Sequence, residues 1–319
     1  MAAPGPLLSI AIPLYNRPRE IRRALESCLA QPFDDFEVIV VDDASTDNSA
    51  DVVAGYADCR LRLIRHERNR GMCPAYNTGA LTARGQWVIF LDSDDELLPD
   101  ALSLIAKHAA AAPDDIARLG FMYRYSTGGA SPDPPLQDEV WGYTEYLQWM
   151  NKDLQRQDIL HCTRRETFAR MRMTDSRAYE LSYLLDFAAR YRTHTLPFVV
   201  GLVHETGSDR ASITHPRRLL SEAPDFAADT DLILQQHGRA LAEHAPRRYE
   251  RLLNARAYLH FISGHRRLGL RYSLCYLRRY PTSFRGWGIL AAGICYPRLI
   301  CWLLEQATAR RAHMSGFTE

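Results

Sequence analysis

Carboxylates crowd one place in this chain. Asp92, Asp94, Asp95 and Glu96 fall within five residues, directly after the apolar run 87–91. Two like charges 4 Å apart repel by about 1 kcal/mol in water and by more when desolvated. A divalent cation removes that repulsion. Asp92 and Asp94 flank a single residue, Ser93, so their oxygens reach one ion or its waters. Hard oxygen donors suit Mg²⁺ or Mn²⁺, and Mg²⁺ commonly joins one or two carboxylates to the phosphates of a substrate. Asp95 and Glu96 serve equally well as favourable charges at the N-terminus of a helix that opens near Pro99.

The elements that must position these acids are legible upstream. Residues 7–12 read as a buried strand, broken by Pro13-Leu14-Tyr15-Asn16-Arg17. Pro18 suits a first helical position, and Ile21, Ala24, Leu25, Cys28 and Leu29 follow at amphipathic helical spacing. A second apolar strand, 36–41, ends in Asp42-Asp43-Ala44-Ser45-Thr46-Asp47, and a helix to about Tyr56 comes next. A third strand covers 61–65. Asn69-Arg70-Gly71, a helix over 74–83 and a strand over 87–91 close the series. Strands apolar on both faces, alternating with helices, predict parallel pairing covered by helices. Right-handed crossovers then bring the strand ends to one edge, where Tyr15, Asn16, Asp43, Arg70, Asp92 and Asp94 converge. Neither G-x-G-x-x-G nor G-x-x-x-x-G-K-[ST] is present, so the dinucleotide and P-loop readings lack their phosphate cradles.

The runs I-P-L-Y-N-R, V-V-D-D-A-S-T-D, N-R-G-x-x-x-A-x-N-x-G and F-L-D-S-D-D, in this order over about residues 7–105, resemble the family 2 glycosyltransferases of the GT-A fold. The resemblance implies an α/β architecture: a mostly parallel sheet flanked by helices, with a helical C-terminal region. It implies a catalytic domain over 1–222, of which 1–105 bind a nucleotide-sugar and 106–222 the acceptor, followed by a helical, Arg-rich region over 223–319. Pro13, Tyr15, Asn16 and Arg17 match the motif lining the base pocket. Asp42 and Asp43 match the acids that reach uracil and ribose. Arg70, Gly71 and Asn77 match the loop and helix beside the nucleotide. Asp92, Ser93 and Asp94 match the D-x-D that bridges ribose, metal and diphosphate. A UDP-sugar donor with Mg²⁺ or Mn²⁺, and inverting transfer to a hydroxyl of a glycan or lipid-linked acceptor, follow from the same resemblance.

On the acceptor side, 117–125 reads as a strand and 126–138, rich in Gly and Pro, as a loop. A helical pattern over 141–151 carries Trp141 and Trp149, more often core residues than sugar platforms. An amphipathic helix over 179–192 starts at Glu180, off its apolar stripe. Transfer to a hydroxyl needs a base near the acceptor. Relatives usually place Glu-Asp here; this chain has Glu180-Leu181. Glu180 is the expected base, Asp175 the second choice, and an N-terminal charge on the helix the bland alternative. A strand over 195–203 leads to a stretch that resembles the family's post-strand loop, which implies His204 as a metal ligand and Arg210 as a phosphate clamp. His161 and Cys162 match no zinc spacing.

With 46% hydrophobic and 24% charged residues the composition is globular. The net charge of +1 hides an asymmetry: 247–319 hold 13 Arg, no Lys and 3 Glu, hence +10, leaving −9 on 1–246. A basic tail implies an anionic partner. The apolar stretch 289–304 is shorter than the roughly 20 residues that cross a bilayer and carries Pro297 and Arg298. An interfacial helix anchored by Trp287 and Trp302 on an anionic membrane fits it, against a helical subdomain as the plainer reading. No nucleic-acid motif supports an RNA or DNA partner. Seven Cys without C-x-x-C and no leader-like N-terminus predict a cytoplasmic protein, peripheral on the inner face of the membrane. Two rivals remain: a sugar nucleotidyltransferase, which needs a Gly-rich loop where 13–17 have none, and an inactive scaffold of the same fold.

Overall fold

The structure, a computed structural model, describes residues 5–152, 156–173, 180–204 and 221–295. It opens with β1 (Leu8–Leu14), α1 (Glu20–Leu29), β2 (Phe36–Asp42), α2 (Ser49–Ala54), β3 (Leu61–Arg65), α3 (Met72–Thr82) and β4 (Trp87–Phe90). β1 pairs in parallel with β2 on one side and β4 on the other, and β2 with β3. Successive side chains on a strand face opposite ways, and the two faces feed separate cores. Leu8, Ile10, Ile12, Val38, Val40 and Ile89 pack with Ile21 and Leu25 of α1. Ala11, Ile39, Val41 and Val88 pack with Ala75, Tyr76 and Ala80 of α3. The uniformly apolar strands of the sequence are therefore strands covered on both faces. Pro13 breaks no β1–β4 pairing, because that ladder ends at Ala11.

The chain continues through β5 (Glu96–Leu97), α4 (Ala101–Ala111), β6 (Ile116–Tyr125), β7 (Ala130–Ser131), β8 (Glu139–Trp141), α5 (Tyr143–Met150), β9 (Ile159–Arg164), α6 (Arg165–Arg170), α7 (Leu181–Arg190) and β10 (Arg192–Val203). The sheet runs β3-β2-β1-β4-β9-β6-β10-β5, with β7 on β6 and β8 on β10. β6 and β10 pair in parallel, whereas β9 lies antiparallel between β4 and β6. The flanked α/β sheet is as expected, but the sequence reading contains no strand over 159–164. Its polar residues are matched from afar: Thr163 accepts a hydrogen bond from the Nε of buried Arg118 on β6. Trp141, expected in a helix, closes β8, and both Trp141 and Trp149 are buried.

The remaining elements are helical, as expected: α8 (Ala223–His244), α9 (Pro246–Ile262), α10 (Arg266–Arg279) and α11 (Phe284–Cys295). The chain divides into two compact units. Among the described residues one holds 5–146 and 152–204, the other 147–151 and 221–295. No helix of the described residues is long and apolar enough to cross a membrane.

Candidate active site

The candidate site lies at the carboxyl ends of β1, β2 and β4, the edge where open α/β sheets bind ligands. Backbone bonds extend the ladders past the strands and hold the loops in place. Asp43 N–H donates to Leu14 O at 2.8 Å, His66 N–H to Asp42 O at 2.9 Å, and Leu91 N–H to Ala11 O at 3.1 Å. Asn16, at φ 52°, links the first two loops: its backbone N–H donates to Ser45 Oγ and its Oδ1 accepts from Thr46 N–H. Ala44 turns the chain at φ 61°, a conformation that costs an L-residue roughly 1 kcal/mol. Tyr15 stands 40% exposed beside them, its ring open to a planar partner.

The two acids at the end of β2, Asp42 and Asp43, have different surroundings. Asp43, 3% exposed, meets His66 Nδ1 at 2.7 Å and accepts from the backbone N–H groups of Arg70 and Gly71. Its carboxylate is committed to shaping the Arg70-Gly71 turn, where Gly71 takes φ 100°. Asp42, fully buried, accepts from Ser45 N–H with one oxygen. The other has Arg65 Nε at 3.3 Å but no hydrogen bond.

Asp92 opens the acidic run. Tyr76 of α3 donates to its Oδ1 at 2.5 Å. Asp92 is exposed as a residue. Desolvation of its carboxyl by the protein around it, then the charge of Asp94, push that carboxyl up to about 6, against the pull of Tyr76 and Arg17. Asp94 forms an ion pair with Arg17. Ser93 and Asp95 are buried, and Asp95 is raised well above the usual carboxylate range by burial and by the charges of Asp92 and Asp94. Asp95 thus adds to the crowding that Asp92 and Asp94 feel.

Glu180 caps nothing: it precedes α7 without a side-chain hydrogen bond to the helix end. Burial, then the Asp92 charge, raise its carboxyl to about 7, while Arg118 pulls the other way. Glu180, Asp92 and Asp158 are thus close enough to feel one another, and Asp158 is held by the Tyr125 hydroxyl. Asp175 and Arg210 lie outside the described residues.

Two expected site residues are engaged by other parts of the chain. Asn77 is buried and clamps the backbone of Met173, donating from Nδ2 to its carbonyl at 2.9 Å and accepting from its N–H at 3.0 Å. His204 Nε2 sits 2.5 Å from Glu96 Oε1, an oxygen that Arg23 Nε approaches at 2.8 Å. His204 is thus engaged by Glu96 of β5, where β5 meets β10. Four residues near the site escaped the sequence reading: Tyr76, His66, Arg118 and Asp158. Tyr76 lay inside the third motif, one residue before Asn77, at a position that motif leaves open; the other three join the site through contacts distant in sequence.

No three His, Cys, Asp or Glu residues gather as a metal cage among the described residues. The donor set still fits Mg²⁺ or Mn²⁺. Two neighbouring carboxylates leave most of the coordination to phosphates and water, and the surplus of acids around Asp92 favours a cation.

The family described as Glycosyl transferase family 2 matches residues 9–175. The succinoglycan biosynthesis protein ExoO of Rhizobium meliloti is 45% identical over 112 residues, 35% of this chain and 32% of its own length. The uncharacterized glycosyltransferase EpsJ of Bacillus subtilis is 36% identical over 132 residues, 41% of this chain and 38% of its own. The matches thus span about a third of these relatives. Among solved structures, S. aureus TarS 1–349 in complex with UDP-GlcNAc aligns at TM-score 0.55 and 16% identity, over 87% of this chain and 93% of its own. The mannosyltransferase PcManGT of Pyrobaculum calidifontis, in complex with GDP-Man and Mn²⁺, aligns at TM-score 0.51 and 19% identity, over 95% and 84%. At these identities the two structures speak for the fold.

Proposed function

The chain belongs to glycosyl transferase family 2, and from that premise we propose that it transfers a sugar, with inversion, from a nucleotide-sugar to a hydroxyl of a glycan or lipid-linked acceptor. The donor is a UDP-sugar. The observation that carries the reading is the meeting of the Asp92–Asp94 pair with Glu180, a carboxyl raised to about 7. The acceptor hydroxyl must lose its proton as its oxygen bonds to the anomeric carbon. Glu180 takes that proton, while the bond from the anomeric carbon to the diphosphate oxygen breaks and the diphosphate leaves with the electron pair. A carboxyl near 7 accepts a proton more readily than an ordinary one and is about half ionised at neutral pH. Tyr76 orients Asp92 for its part of the donor. Pro13, Tyr15, Asn16 and Arg17 wall the base pocket, Asp42 and Ser93 contact the nucleoside, and Asp43 holds Arg70 and Gly71 beside it. Asp92 and Asp94 would hold a divalent ion, which when bound would supply Lewis-acid stabilisation to the departing diphosphate. Among the solved relatives in fold, TarS with UDP-GlcNAc and PcManGT with GDP-Man and Mn²⁺ support donor class and ion.

The test is calorimetric titration of UDP, and in parallel GDP, into the protein with and without Mn²⁺, repeated on Asp94→Asn. Mn²⁺-dependent UDP binding, lost in the variant, is expected. GDP binding in place of UDP would reassign the donor base, and binding of neither nucleotide under any condition would overturn the donor site.

A further inference from the structure

The corner between α10 and α11 exposes what a soluble helix normally hides. Phe284, the first residue of α11, is 94% exposed, and Trp287 is 53% exposed. Trp287 is held outward by its Nε1–H, which donates to Pro281 O at 2.9 Å. Along α11 the exposed positions are Phe284, Arg285, Trp287, Gly288, Ala291 and Ile294; all but Arg285 are uncharged and fall at the spacing of one helical stripe. The opposite stripe is fully used. Gly286 and Gly293 lie so close to the rings of Tyr276 and Phe261 that an added Cβ would come within 2.5 and 2.4 Å, and Leu290 and Ala292 are buried. Apart from Arg285, α11 is apolar all round; such a helix belongs in an apolar setting on every side, yet half of it faces solvent. The glycines fix which half that is, because a Cβ turned inward at either position would clash.

The charge around this corner names what covers it. Arg278 and Arg279 end α10 and Arg285 follows Phe284; all three are exposed, and neither Arg278 nor Arg285 forms an ion pair among the described residues. From residue 251 to residue 304 the chain contains no Asp or Glu. A second copy of the chain would set these arginines against each other. A nucleic acid would answer the charge but leave Phe284, Ile294 and the half-exposed Leu274 of α10 bare. An anionic bilayer answers both: aromatic and aliphatic side chains enter the headgroup boundary and arginines pair with acidic lipid. We propose that the α10–α11 corner, led by Phe284 and Trp287 and flanked by Arg278, Arg279 and Arg285, is a docking surface for an anionic lipid bilayer. The placement differs from the sequence expectation: the anchor centres on the start of α11 rather than on 289–304, whose Leu290 and Ala292 face inward. Trp302 lies outside the described residues.

The full chain is sedimented with vesicles of phosphatidylglycerol and phosphatidylcholine and with phosphatidylcholine alone. Wild type is expected to pellet with the anionic vesicles, less at high salt because exposed charge is screened. Phe284→Ser, at a position with almost no packing to lose, weakens binding by about tenfold or more, and Arg278→Glu with Arg285→Glu by at least as much. Circular dichroism verifies that each variant is folded. Equal pelleting of wild type and Phe284→Ser, or no pelleting of wild type, overturns the proposal. So does a wild-type dimer that Phe284→Ser makes monomeric without vesicle binding, which assigns the stripe to self-association, or retention on RNA that the same substitution abolishes. The readout is independent of sugar transfer, so failure of the glycosyltransferase reading leaves it intact.

Discussion

Glu180 is the residue on which the chemistry turns. A base must be unprotonated to act, so kcat is expected to fall tenfold per pH unit below the pKa of Glu180, which is about 7 in the ion-free chain and lower once an ion neutralises Asp92, one cause of its rise. Glu180→Gln removes the acceptor of the proton without changing volume. It should lower kcat by about 100-fold or more, abolish that limb of the pH profile and leave the donor KM nearly unchanged. A variant that keeps the limb would move the base to another group. Arg17 raises a different question, because it occupies Asp94, the carboxylate that the proposed ion also needs. Arg17→Gln removes the competitor, so half-saturation by Mn²⁺, read as a thermal shift without nucleotide, should come at a concentration several-fold lower. An unchanged midpoint would mean that the ion pair does not compete.

The elements divide into those written locally and those written across the chain. β1, β2 and β4 were legible because strands covered on both faces are apolar throughout, and the polar turn after β1 and the acids at the ends of β2 and β4 stand out against that background. β9 was not legible: His161 and Thr163 interrupt its apolar pattern, and the group that satisfies Thr163, Arg118, is 45 residues away. The same distance hid the partner of Asn77, which is 96 residues away, and that of His204, which is 108. Motif spacing placed Asn77 correctly on α3 but not the direction it faces. α3 emerges as the element that ties the site together. It starts at the Asp43-braced Gly71, sends Tyr76 to Asp92, Asn77 to Met173, and Thr78 to His66 at 2.9 Å. Tyr76→Phe removes one hydrogen bond to a charged group, a loss of about 1.5–3 kcal/mol, and should raise the donor KM by tenfold or more. Asn77→Ala strands the buried N–H and C=O of Met173, so chemical denaturation should report a stability loss of about 2 kcal/mol. A loss of activity at unchanged stability would instead put Asn77 in contact with substrate.

For the molecule as a whole, a net charge of +1 conceals local surpluses, and the one at the candidate active site makes stability depend on pH and on ions. Asp92, Asp95 and Glu180 all titrate above the ordinary carboxyl value, so the folded chain holds these protons more tightly than the unfolded one. Their contribution to stability is complete below about pH 4, the unfolded value. It is lost as pH rises through about 6 for Asp92 and about 7 for Glu180. In chelator-treated protein the melting temperature should therefore fall between about pH 5 and pH 8, and Asp95→Asn, which deletes one of the crowded charges, should flatten the fall. Mn²⁺ should reverse it at the upper end. A ligand bound only to the folded state at about 100 times its Kd adds roughly 2.7 kcal/mol, several degrees for a unit of this size. Asp94→Asn should lose most of that gain while keeping its own folded baseline. A melting temperature that climbs across the same window, or that Mn²⁺ leaves unmoved at high pH, would mean that the carboxylates are already compensated within the chain. The D-x-D would then act through hydrogen bonds to the donor rather than through an ion.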